Sequence, residues 1–183
     1  MMKFDKSLWM KVHLYLSLFF LPAALIYALT GALYIFDVRE NADASIQEFV
    51  LPSVPQKGEE QEIILSVLKT HNLKIPNDTQ VRIQKGSATM GSIKYSASIT
   101  TNKQGESIVR VTERGLYGIL LLMHKAKGKF YFDIIAVGFA LSLVIFYLSG
   151  LIITSFCKKK RKQALLAFAL GLTLTALAVW ASI

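Results

Sequence analysis

The residues of this 183-residue chain most able to do chemistry are its three histidines. His13 stands in the first turn of an uncharged stretch, Val12 to Phe36. His124 stands just before a second such stretch, and His71 closes a polar segment between them. Imidazoles at membrane depth are rare and point to function by default, the obvious candidate being haem b held through axial imidazoles. The bland alternative is a pair of interfacial residues bonded to water or headgroups. Geometry favours that alternative for a single iron. The intervening helix would be ~35 Å long at ~1.5 Å per residue, with His13 near one membrane face and His124 near the other, whereas two axial nitrogens on one iron lie within ~4 Å. His13 and His124 therefore stand as candidate haem ligands that would each need a second ligand from a partner chain or another subunit. His71 reads as a solvated helix-end residue.

Other catalytic sets are missing. The sequence holds no Gly-rich phosphate loop, no His-Glu-x-x-His and no serine nucleophile elbow, so an enzyme acting alone is not the expectation. Gly86 to Gly91 reads as a flexible polar loop. The lone Cys157 excludes an internal disulfide and a cysteine-based metal cluster. Asp133 is expected to pair with Lys129 one turn earlier. Charged residues are absent from the interiors of the apolar stretches, which argues against an ion or proton transporter.

Three apolar blocks must position the histidines. The chain is 53% hydrophobic, and those residues are concentrated rather than scattered. Val12 to Phe36 is long enough to cross a ~30 Å hydrocarbon core, with Pro22 inside it. A second span runs over 130–156 and a third over 164–183. Between the last two lies Lys158-Lys159-Lys160-Arg161-Lys162, five of the 21 basic residues. Without aromatic interleaving, this block reads as a cytoplasmic topology anchor and not as a nucleic-acid site. Residues 1–11 are also lysine-rich, so they and the loop 157–163 are expected in the cytoplasm. Residues 37–129 then lie on the far side, with 116–129 an interfacial helix. Two small patches, Thr30-Gly31 and Ser149-Gly150, are expected to pack the first two spans closely.

The polar segment 37–115 reads as a small α+β module. Acidic residues at 59–62 suit the start of a helix, Ile63, Ile64, Val67 and Leu68 recur at helical spacing, and Asn72 marks its stop. Strands are expected over 79–84, 92–100 and 107–112, the last two joined by a turn at Asn102 to Gly105. The stretch 50–57, with Pro52 and Pro55, reads as a linker.

The first span resembles the PepSY-associated transmembrane helix family. The resemblance rests on His13-Leu14-Tyr15-Leu16-Ser17 at its start and Thr30-Gly31-Ala32-Leu33-Tyr34-Ile35-Phe36 at its end. It continues through Leu121-Leu122-Met123-His124 and Leu148-Ser149-Gly150-Leu151, although the tryptophan often found soon after the first histidine is absent. The resemblance implies a three-span membrane protein of the bacterial inner membrane carrying a small extracytoplasmic α+β PepSY-like module. It implies an accessory protein that binds a membrane or periplasmic protein partner and is linked to iron uptake. Larger relatives include ferric-siderophore reductases whose intramembrane histidines hold haem, so a haem b electron-transfer subunit is the alternative. A module that restrains a peptidase is a third.

Overall fold

The computed structural model describes residues 6–84, 86–154 and 160–183. Three helices among them are long and apolar enough to cross a membrane: α1 (Lys6–Ile35), α4 (Phe130–Ile153) and α5 (Arg161–Ala181). The chain divides into two compact units. One comprises Met1–Ala24 and Ile135–Ile183, the other Leu25–Ile134. α1 and α4 each run through the division, so the three spans belong mostly to the first unit and the polar module to the second.

The module is built on a five-stranded antiparallel sheet of order β1-β5-β4-β3-β2. Its strands are β1 (Ser45–Val50), β2 (Arg82–Gln84), β3 (Ser87–Gly91), β4 (Tyr95–Thr101) and β5 (Ser107–Glu113). One face is covered by α2 (Glu60–Thr70). Ile64 and Leu68, one helical turn apart, are fully buried against Ala88, Met90, Ala97, Ile99, Val109 and Val111. Removing such side chains from water contributes about 1.5–3 kcal/mol each, which is what lets so small a unit hold together. α2 ends as its sequence predicts. Asn72 takes a left-handed φ of 51° and the Leu73 amide donates back to Leu68 O at 2.8 Å, closing the helix. The β4–β5 turn is held by the Asn102 side chain, whose Oδ1 accepts from the amides of Gln104 and Glu106.

Two strands were not expected. Ser87–Gly91, inside the segment read as a flexible loop, is β3, with Ala88 and Met90 facing the core and Ser87 and Thr89 alternating with them. Small side chains blur the alternation that marks a strand, while pairing to β4 makes use of it. β1 lies before the linker and has five of its six residues exposed. As an edge strand it is recruited by β5 rather than by a buried pattern of its own.

The short helix α3 (Leu116–His124) falls within the interval expected to be helical before the second span, but ends five residues sooner. Ala126 at φ 52° and a Lys127 amide bond to Leu122 O terminate it, and the chain turns before α4 begins. The expected Lys129–Asp133 pair is not among the ion pairs of the described residues. Lys129 precedes the first residue of α4, so the helical spacing that would align the two side chains is not in place.

Candidate functional site

In the unit Leu25–Ile134, His124 is the last residue of α3 and faces residues from the end of α1. Its Nδ1 lies 2.7 Å from Thr30 Oγ1, and the same hydroxyl donates to Ile26 O at 2.5 Å, one turn back on α1. The Tyr27 ring lies 4.3 Å from the imidazole, centroid to centroid, and a methyl group added at Gly31 would meet His124 Cε1 at 3.7 Å. Thr30 is 2% exposed, so this hydroxyl is shielded from competing water. Thr30-Gly31 thus supplies a hydrogen-bonding group and a flat surface at adjacent positions.

α3 is mounted firmly for so short a helix. Its N-cap is Gly115, which has no side chain to cap with. The carboxylate of Asp43, 74 and 75 residues upstream of its partners, substitutes by accepting from the Tyr117 amide at 3.0 Å and the Gly118 amide at 3.2 Å. A negative charge at a helix N-terminus is favoured by the helix dipole as well. Glycine is required for this approach: a Cβ at Gly115 would overlap the Asp43 carboxylate, and one at Gly118 would overlap Glu40 O. Tyr117 Oη donates to Val38 O at 2.6 Å, and beyond the far end of α3 Lys125 pairs with Glu40 at 3.2 Å. A bond from its own backbone amide, and then Lys125, hold the Glu40 carboxyl below the usual carboxylate range, against the opposing effect of burial. Arg114 ties the same loop to the sheet through Asn41 Oδ1, Ile93 O and Ser96 Oγ.

In the unit Met1–Ala24 with Ile135–Ile183, His13 on α1 meets Ser149 on α4. The Nδ1–Oγ distance is 2.8 Å, and Ser149 Oγ donates to Phe146 O at 3.1 Å. The Phe146 ring stands edge-on to the imidazole at 5.7 Å. Ser149 is fully buried, whereas a Cβ added at Gly150 would meet nothing within 4 Å. Phe20 packs on Phe139 and against Gly138 farther along the same two helices.

The arrangement is therefore repeated: one imidazole in each unit, its Nδ1 against a buried hydroxyl that also bonds a helix carbonyl. Neither Nε2 has a hydrogen-bond partner among the described residues. Spacing could not reveal these pairs, because the partners stand 136 and 94 residues apart. The available signal was the hydroxyl–glycine pair recurring in two spans, one for each membrane-level histidine. Asp43 and Tyr27 gave no signal of their own.

The remaining candidates lie elsewhere. His71 is the exposed C-cap of α2 and stacks on Phe49 at 4.1 Å. Lys158 and Lys159 lie outside the described residues. Lys160 is the N-cap of α5, and Arg161 and Lys162 occupy its first turn, all three exposed. Cations at a helix N-terminus oppose its dipole, so helix stability does not account for them there. No cluster of three metal-ligating side chains occurs among the described residues. A cleft of about 110 Å³ between β1, β4 and β5, bordered by Leu73 and Lys74, falls well short of the ~300–1,000 Å³ of small-molecule sites.

Searches of curated proteins and of solved structures return no match. A family model described as the PepSY-associated TM region matches residues 10–181. With His13, His124 and the intervening α+β module all inside the matched interval, the chain belongs to the PepSY-associated TM region family.

Proposed function

We propose that this protein is a partner-dependent membrane subunit for electron transfer, in which His13 and His124 would each hold haem b through Nε2. The observation that carries the reading is the repeated imidazole: in each unit Nδ1 is engaged by a buried hydroxyl while Nε2 has no partner among the described residues. The donor chemistry fits haem, for which neutral imidazole is a standard axial ligand. Each unit supplies a single imidazole, so any further ligand would come from another subunit or a second copy of the chain. When bound, haem supplies one-electron chemistry of the kind used to reduce ferric siderophores during iron uptake. The chain's own residues orient the imidazoles and shield the hydroxyls that hold them. The partner requirement agrees with an accessory role and with no reaction being catalysed by this chain alone.

The reading places the protein in a bacterial inner membrane. The basic residues at 3–11 and 158–162 lie on the cytoplasmic side and residues 37–129 on the periplasmic side, which the segregation of lysines in the short loops supports. The test is the visible spectrum of the protein purified in mild detergent together with its co-purifying partner subunits, air-oxidised and then dithionite-reduced. The expected result is a Soret band with sharp α and β bands on reduction, diminished in His13→Ala and in His124→Ala. A featureless spectrum from folded protein, or bands that survive both substitutions, would overturn it.

A further inference from the structure

We infer that Thr30 and Ser149 are positioning residues that set the tautomers of His124 and His13, so that each imidazole presents a bare Nε2 lone pair. The tautomer assignment stands on hydrogen-bond chemistry; its use for ligating haem iron rests on the function proposed above.

The protons available to each hydroxyl fix the tautomer. A threonine hydroxyl has one hydrogen, and a carbonyl oxygen has none to give. At 2.5 Å, Thr30 Oγ1 and Ile26 O would repel each other unless a hydrogen lay between them, and only Thr30 can supply it. The hydroxyl then has only lone pairs left for His124, 2.7 Å away, so the hydrogen in that contact belongs to Nδ1. A neutral imidazole protonated at Nδ1 is bare at Nε2. At Ser149 the assignment follows from the bond its hydroxyl donates to Phe146 O at 3.1 Å, a longer contact than that of Thr30, which leaves its lone pairs to accept from His13 Nδ1 at 2.8 Å.

Both hydroxyls sit at helix positions whose carbonyl acceptor lies three or four residues back, so the helix itself consumes the proton. Both are almost completely buried, which keeps water from offering a different partner. Histidines that ligate metals characteristically donate their other ring N–H to such an acceptor, which fixes ring orientation and raises ligand basicity. Here the acceptor is a hydroxyl already spent on its own helix.

The test uses the haem-free full chain with ¹⁵N-labelled histidine in detergent at pH 8, where a free imidazole is neutral. Nitrogen shifts distinguish a protonated ring nitrogen from a bare one, and His124→Gln identifies the His124 signals. We expect His124 to be protonated at Nδ1 in the parent protein and in Thr30→Ser, and to revert to the Nε2-protonated form in Thr30→Val. Ser149→Ala should do the same to His13. An Nε2-protonated His124 in the parent protein, or one whose tautomer does not change in folded Thr30→Val, would overturn the inference. If Thr30→Val does not fold, the parent spectrum decides alone. In the haem-loaded protein, Thr30→Val should weaken binding about 10–100-fold and Thr30→Ser restore it. Absence of haem binding in every variant, with the Nδ1 tautomer still observed, would remove the electron-transfer reading and leave the tautomer assignment intact.

Discussion

His124 and His13 make the same first contact and are supported in opposite ways. His124 ends a nine-residue helix that is too short to hold itself together, so its support is imported. Asp43 caps the start of α3, Tyr117 reaches Val38, Gly118 lets the Glu40 backbone lie against the helix, and Lys125 pairs with Glu40 just past its end. His13 sits on a helix of 30 residues and meets one of 24 residues, whose internal hydrogen bonds hold both side chains in place. Its local partners are one serine and one aromatic edge. A ligand on a long helix needs little besides the helix. A ligand at the end of a short one needs a network, and that network ties it to the folding of the module.

The contrast breaks most sharply in the core of the module. Leu68→Ala, at a fully buried position, should cost about 2–5 kcal/mol and loosen the mount of His124 while leaving His13 unaltered. Histidine ¹⁵N spectra read both effects at once, and equal broadening of the two imidazoles would show that the supports are not distinct. Gly118→Ala should come next, at about 1–3 kcal/mol, because the new methyl overlaps Glu40 O and α3 must move away. The measurement is thermal unfolding of the purified protein. Asp43→Ala removes the imported cap and should cost about 0.5–2 kcal/mol, seen as faster amide exchange at Tyr117 and Gly118 with no change around His13.

The smallest effect concerns pH. The folded Glu40 carboxyl is held below its ordinary value, so its contribution is fully present above that value and is lost as pH falls through the lower, folded one. Exchange at α3 should therefore accelerate in acid, by no more than the ~0.2–1 kcal/mol of a partly exposed pair. Glu40→Gln should remove that acid dependence. An acid response of equal size around His13 would assign it to something other than the Glu40 carboxyl, which its own backbone amide and then Lys125 stabilise.

Much of the architecture was legible because it follows from patterns local in the chain. Uncharged runs identify the three membrane helices, and Ile64 and Leu68 at helical spacing identify the buried face of α2. Ala97 and Ile99 identify the inward face of β4. Legibility failed where pairing to a distant segment decided the outcome. Ser87 to Gly91 looks like a loop until β4 lies beside it, and Ser45 to Val50 turns only Phe49 toward the core, too little to betray a strand. The site divides in the same way. His13 and His124 were visible because an imidazole at membrane level is rare. Asp43 was hidden because an aspartate in a polar segment is ordinary, and nothing local connects it to a glycine N-cap more than seventy residues later.

The sequence by itself determined that this chain is a membrane protein with a small α+β module between its spans, because the removal of apolar side chains from water depends on composition and spacing alone. It also named the two imidazoles. Only the tertiary structure decided which hydroxyl meets which histidine, and hence which ring nitrogen carries the proton. That choice depends on separations of 2.7 and 2.8 Å between atoms remote in the chain, set beside helix bonds of 2.5 and 3.1 Å made by the same hydroxyls. Hydrogen bonds discriminate at that scale, and sequence spacing does not reach it.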